Sequence, residues 1–337
     1  MAQRRGRSPR TEVVQEGSLP RPGASGREPL QSRCHERHDV SKLRAVKAVI
    51  LAAGKGSRLY PVTHVIPKPL LPLANRPTLF YAFDRLKEMG IDEICVVVGE
   101  NEPAMREALG DGSDQDVKLT YVRQTEPKGL AHAVGFAQEF VGDDSFVLYL
   151  GDAIYGEGFE SHLTKFRESG CANLNIVKPV PDPSRFGVAN VDGDRIVKIV
   201  EKPKEPESNL AMAGMYFFGP QIWKVLPDLQ PSARGEYEIT DAIQTMIEQG
   251  ELVLAGVYEG TWFDSGTLDS FLEVSAFLTG GDPRIEGTVT GQVGTNTVVG
   301  AGATVEAPSI EDSVVLPGAN VRSQGPIRHA ILGGDVS

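Results

Sequence analysis

The chain has 337 residues, 40% hydrophobic and 23% charged, a balance that gives a sizeable buried core and excludes wholesale disorder. A net charge of −11 argues against a nucleic-acid binder that relies on diffuse attraction. The charge is uneven: residues 1–44 carry ten Lys/Arg and five Asp/Glu, leaving 24 basic and 40 acidic side chains in residues 45–337, so an anionic ligand must be held at a local site.

Residues 1–44, rich in Arg, Pro, Gly and Ser, read as a disordered N-terminal extension. Arg4-Arg5 is not followed by the apolar segment that an export signal needs. The first element is the apolar run from Val46 to Ala53, closed by Gly54, the pattern of a strand buried on both faces. Leu79, Ala82, Phe83 and Leu86 recur at helical spacing, with Gly90 as a stop. Strands follow at Ile94–Val98 and Val117–Val122. A helix carries Leu130, Ala133, Val134, Ala137 and Phe140 on one face, and a strand over 146–150 ends at Gly151-Asp152. Strands alternating with helices in this way predict an α/β fold: a Rossmann-like mixed, mainly parallel sheet with ligands at the carboxyl ends of its strands.

From 170 to 265 the alternation loosens into short strands at 174–177, 187–191, 196–201 and 214–218, a lobe continuous with the sheet. Helices are expected over 239–249 and 268–278. After Gly280-Gly281, Val293, Val299 and Val305 lie six apart, as do Val315, Val321 and Ile327. A hexapeptide period predicts a short left-handed parallel β-helix over 281–337, serving as a cap or as a contact in a homo-oligomer. The catalytic domain is then 45–280. Cys34, Cys95 and Cys171 are widely separated and show no metal-ligand spacing, which fits a reduced, cytoplasmic setting. No run of about 18 apolar residues is present to span a membrane.

The chemistry concentrates after the first strand. In Gly54-Lys55-Gly56-Ser57-Arg58 the glycines let backbone amides approach phosphate oxygens, and Arg58 adds a forked, permanent cation. The turn lacks the Lys-Ser/Thr pair of a Walker loop and the third glycine of a dinucleotide fingerprint. Pro67-Lys68-Pro69 is stiff enough to hold an ammonium in place. Alone, each of these segments also reads as an ordinary loop.

Taken together they resemble the signature of sugar-nucleotide pyrophosphorylases, the sugar-1-phosphate nucleotidylyltransferases. The likeness continues through Gln124 and Gly129-Leu130-Ala131, Gly151-Asp152, Phe186-Gly187-Val188 and Glu201-Lys202-Pro203. Further on it includes Gly214-Met215-Tyr216, the segment from Pro231 to Glu236, Ile239-Thr240-Asp241, and Trp262, Asp264 and Gly266-Thr267. It is most similar to the glucose-1-phosphate thymidylyltransferase branch in its long form, which implies dTDP-glucose synthesis for deoxysugars, including those of antibiotics.

The resemblance implies that a phosphate oxygen of a sugar 1-phosphate attacks the α-phosphorus of a nucleoside triphosphate, dTTP or UTP, and releases pyrophosphate. The attacker is already anionic, so no nucleophile–base relay is required; the difficulty is bringing two anions together. By resemblance, Leu51, Ala53, Gly54, Gly56, Ser57 and Arg58 cradle the triphosphate, and Gln124 with Gly129 reads a pyrimidine imide edge. Lys68 is aimed at the α-phosphate and Lys202 at the sugar phosphate. Gly187, Glu201, Tyr216 and Thr240 contact the sugar or its phosphate. Asp152 and Asp264 are the implied Mg²⁺ ligands, hard oxygen donors suiting that ion. Gln124 is expected to offer one donor and one acceptor, and His132 to be a packing residue.

One departure is Ala153, where the family usually has Asn directly after the metal-binding Asp. It motivates a second reading, a regulatory subunit that binds nucleotide-sugars without turnover. Use of UTP or of another sugar phosphate is a third. An appended acetyltransferase is disfavoured because the hexapeptide region has too few coils.

Overall fold

Val46–Leu51 is apolar except for Lys47, and from Ala48 on both its faces are covered: Ala48 and Ile50 enter one core, Val49 and Leu51 another. The structure, a computed structural model, describes residues 46–336; the expected extension at 1–44, with Cys34, lies outside the described residues. From edge to edge the central nine-stranded sheet runs Lys118–Arg123, Glu93–Val98, Val46–Leu51, Ser145–Leu150, Leu210–Phe218, Asn173–Pro179, Val253–Val257, Arg195–Glu201 and Gly187–Asp192.

Pairing is parallel among the first four strands and between Asn173–Pro179 and Val253–Val257. It is antiparallel wherever Leu210–Phe218 or Arg195–Glu201 takes part. The expectation of a mainly parallel sheet therefore holds for the first half only. The physical reason is visible at Gly193-Asp194, a link far too short for the crossover that parallel neighbours need, so the strands on either side form a hairpin.

Thr78–Glu88 covers one face of the sheet with Leu79, Ala82, Phe83 and Leu86, and Ile239–Glu248 covers the other with Ile243 and Met246. The helix expected across 130–140 is two short ones, Leu130–Gly135 and Gln138–Val141, Gly135 being a weak helix former at the break. Helices at Glu102–Leu109 and Glu160–Ser169 were not expected; each buries only two apolar side chains, Met105 with Leu109 and Leu163 with Phe166. Among the described residues, no helix is long and apolar enough to cross a membrane. Cys95 and Cys171 are buried free thiols, and burial pushes the Cys95 thiol up to about 12.

Beyond Gly281 lies a seven-stranded sheet whose pairings are all parallel. Val289 lies beside Val305 and Val305 beside Val321; Val293, Ile310 and Ile327 align in the same way. Val299, Val305, Ile310, Val315, Val321 and Ile327 share a core of their own. Val298, Val314 and Leu316 instead pack with Leu71, Leu73, Phe271 and Leu272, so this sheet shares a core with the rest of the described chain.

Candidate active site

Three strand ends build the site. Leu51 leads into the glycine loop, whose Gly56 carbonyl accepts from Thr63 Oγ1 at 2.9 Å. Val98 takes the Gln124 amide N–H at 2.8 Å, which fixes the backbone of Gln124 beside that loop. Leu150 leads to Gly151, whose N–H donates to the Leu51 carbonyl at 3.0 Å, and so to Asp152. Carboxyl ends of strands are where ligands of open α/β sheets bind.

Lys68 starts a short 3₁₀ turn between two prolines, and its side chain is only 10% exposed. Its Nζ donates to Asp152 Oδ2 at 2.5 Å. Asp264 ends the strand Trp262–Asp264, which pairs with Ala153–Tyr155 so that Asp264 stands opposite Ala153. Ser265 N and Oγ both donate to the Asp152 carbonyl, at 3.2 and 2.8 Å, and tie the two acidic segments together. Burial pushes the Asp264 carboxyl above its ordinary value, the nearby Asp152 charge adds to this, and Lys68 and Arg58 oppose it.

The expected nucleotide residues Leu51, Ala53, Gly54, Gly56, Ser57, Arg58, Gln124 and Gly129 all line one cavity of about 500 Å³, together with Lys68. A second cavity of about 690 Å³ gathers Gly187, Glu201, Lys202, Tyr216, Thr240 and Asp264. Arg58, Asp152 and Glu236 line both, so the two cavities meet where the cations and carboxylates are densest. A recess of about 390 Å³ between Gly54 and Gly99-Glu100-Asn101 opens beside the first and shares Gln124 with it.

In the second cavity Glu201 accepts from Thr240 Oγ1 at 3.1 Å and faces Lys202 Nζ at 3.2 Å and Arg234 at 3.7 Å. Tyr216 is buried, and burial raises its phenol so that it stays protonated. Lys202 adopts a left-handed backbone conformation, φ 43°, held by its N–H on the Phe186 carbonyl at 3.0 Å. Gly187 is required by close approach, since a Cβ there stands 2.6 Å from Thr240 Cγ2.

Sequence reasoning missed two cations and two carboxylates of this cavity, the latter being Glu236 and Glu238. Arg185 and Arg234 both line it, and Arg234 also bridges Glu236 at 2.9 Å and Glu238 at 3.1 Å. Arg234 and Glu236 stand inside one of the family-like segments, but nothing in their spacing said that they face the second cavity. Two expectations are revised. Gln124 does not leave its donor free: Nε2 donates to the Gly129 carbonyl at 3.3 Å and to His132 Nδ1 at 3.1 Å. His132 does pack, with its ring against Phe136 and Tyr237, but it also holds Gln124.

Among the described residues no three His, Cys, Asp or Glu side chains cluster as a protein-only metal cage. Two carboxylates facing a shared cavity, one with its charged form disfavoured by burial, are a donor set that a hard divalent cation fits when water and phosphate oxygens complete its shell.

A mixed α/β sheet with a glycine loop lining a cavity after its first strand, and a second cavity joined to it, is the arrangement of a nucleotide-handling transferase. A profile of the nucleotidyl transferase family matches residues 47–281. The chain belongs to that family, and within it is a sugar-1-phosphate nucleotidyltransferase. It is 39% identical over 330 residues to the low-salt glycan biosynthesis nucleotidyltransferase of Haloferax volcanii, covering 86% of this chain and 92% of that one. It is 41% identical over 294 residues to glucose-1-phosphate thymidylyltransferase of Streptomyces antibioticus, covering 82% of each. Among solved structures, UDP-glucose pyrophosphorylase bound to UDP-glucose is similar with a TM-score of 0.65 at 25% identity, covering 70% of this chain and 98% of that one.

Proposed function

We propose that the protein transfers a thymidylyl group from dTTP to glucose 1-phosphate, giving dTDP-glucose and pyrophosphate for deoxysugar synthesis. The observation that carries this reading is the junction of the two cavities at Arg58 and Asp152, with Lys68 against Asp152. The nucleoside triphosphate occupies the cavity with the glycine loop, and the sugar phosphate the cavity with Glu201 and Lys202. Backbone amides of Gly54–Arg58 and the Arg58 guanidinium receive the β- and γ-phosphates that depart. Lys68, nearly dry and fixed between prolines, lowers the charge that builds on the α-phosphoryl oxygens without having to reorganise. Lys202, with Arg185 and Arg234 near it, offsets the sugar phosphate charge so that its oxygen faces the α-phosphorus in line.

Asp152 and Asp264 would hold Mg²⁺, which supplies charge neutralisation at the transferring phosphate when bound. Glu201 accepts from hexose hydroxyls, its carboxylate steadied by Thr240. The stacked parallel sheet after Gly281 is read as a short left-handed β-helix that contributes to a homo-oligomer. Pyrophosphate release measured with dTTP, UTP, ATP and GTP against several sugar 1-phosphates tests the assignment. The expected preference is dTTP with glucose 1-phosphate; preference for a purine triphosphate overturns it. Binding of dTDP-glucose with no turnover under any pair would favour the regulatory reading that Ala153 motivates.

A further inference from the structure

Gln124 is 9% exposed, and its side chain is clamped on one side. The Gly129 carbonyl can only accept, so the atom of the Gln124 amide that faces it is the nitrogen. The second hydrogen of that nitrogen goes to His132 Nδ1 at 3.1 Å, which requires Nδ1 to be the bare, accepting nitrogen of a neutral imidazole. Both Nε2 hydrogens are then used inside the protein, leaving Oε1 as the only atom of the amide that can address a base in the cavity. We infer that His132 is a positioning residue for nucleobase choice, holding the Gln124 amide so that it presents an acceptor and no donor. An acceptor alone pairs with a ring N–H, as in thymine, uracil and guanine. A base seated with its ring nitrogen against Oε1 presents a lone pair there in cytosine and adenine, and leaving buried polar groups opposed in this way is a basis for rejection unless the base shifts to bring its exocyclic amine to Oε1.

The surroundings keep His132 in the required state. Its ring lies stacked on Tyr237 and edge-on to Phe136, which fixes its plane. Burial first, and then the Lys128 ammonium, hold the imidazole below its ordinary value, with Glu126 opposing; Lys128 and Glu126 pair with each other at the surface. Protonation would place a donor against the Nε2 hydrogens and break the clamp. This inference rests on the proposed reading of the first cavity as the nucleotide half of the site.

The test is kcat/KM for dTTP, UTP, GTP, dCTP and ATP, with glucose 1-phosphate, for the full chain and for His132→Leu and His132→Asn. The expected wild-type order places the three ring-N–H bases above the two others. His132→Leu should reduce that ratio roughly tenfold, while His132→Asn, whose Oδ1 can accept, restores most of it. In the wild type, the ratio of kcat/KM for dTTP to that for dCTP, in which the phosphate ionisations cancel, should fall on the acid side of a group titrating below the ordinary imidazole value, and His132→Asn should lack that fall. A wild-type preference for dCTP or ATP overturns the inference, as does an unchanged ratio in His132→Leu or an acid fall of the dTTP-to-dCTP ratio persisting in His132→Asn. A preference for GTP overturns the pyrimidine reading and leaves the clamp standing. Should the Leu variant fail to fold, the wild-type pH profile and the Asn variant still decide.

Discussion

Gly187→Ala tests the geometry of the sugar half without touching a charged group. The added Cβ stands 2.6 Å from Thr240 Cγ2, 3.0 Å from Met212 Cγ and 3.3 Å from Glu201 Oε2. Carbon atoms settle at about 3.5–4.0 Å, so Thr240 must retreat by roughly 1 Å. Thr240 is 2% exposed and borders the second cavity, so a retreat there moves its hydroxyl away from Glu201. Overpacking of this kind costs about 1–3 kcal/mol, and loss of the 3.1 Å bond from Thr240 to the Glu201 carboxylate adds about 1–2 kcal/mol. Partial relaxation brings the sum to about 2–4 kcal/mol, which at ~2 °C per kcal/mol for a chain of this size lowers Tm by about 4–8 °C. Because Glu201 loses its steadying donor, KM for the sugar phosphate should rise about tenfold while KM for dTTP stays within about twofold. Calorimetry and two-substrate kinetics read both effects. An unchanged Tm, or equal rises in the two KM values, would refute the reasoning.

Lys68→Met should lower kcat by about 10²–10³, or ~2.7–4 kcal/mol of transition-state stabilisation, with modest change in either KM; a loss below about fivefold in a pyrophosphate-release assay removes Lys68 from the reaction. Asp264→Asn should abolish the response of turnover to added Mg²⁺ while circular dichroism and Tm show an intact fold; near-normal rates would take Asp264 out of the metal site. His329 bridges Asp269 of the helix Leu268–Thr279 at 2.8 Å and Asp312 of the C-terminal sheet at 2.7 Å, and its hydrogen bonds to Asp269 and Asp312 hold it above its ordinary value. A raised basic group stabilises the fold below its unfolded value and loses that contribution as pH rises through the folded value. The Tm advantage of wild type over His329→Gln should therefore be present near pH 6 and shrink towards pH 8; an advantage that grows with pH contradicts the bridge.

The first half of the fold was legible because its strands are buried on both sides. Val46–Leu51, Glu93–Val98 and Ser145–Leu150 announce themselves as apolar runs, each with a single polar residue at or next to its start. Val253–Val257 was not read as a strand, and the ribbon of Ala153–Tyr155 with Trp262–Asp264 is too short for periodicity to register. Sheet direction after Leu150 depends on which strand pairs with which across long sequence distances, and local pattern carries none of that. The candidate site residues were picked out by their type and order; their grouping into two cavities that meet at Arg58, Asp152 and Glu236 needed the fold. The contact of His132 with Gln124 was invisible for the same reason. A histidine on a short helix looks like packing until Gln124, eight residues away, is seen against its ring.

The central claim is that the sugar phosphate attacks the nucleotide directly across the junction of the two cavities, with no protein nucleophile between them. Exchange of labelled pyrophosphate into dTTP tests this most directly. Full-length enzyme with Mg²⁺ and dTTP should show exchange only when glucose 1-phosphate is also present, because the reverse reaction needs the nucleotide-sugar. Rapid exchange in the absence of any sugar phosphate would reveal a nucleotidyl-enzyme intermediate and contradict the account.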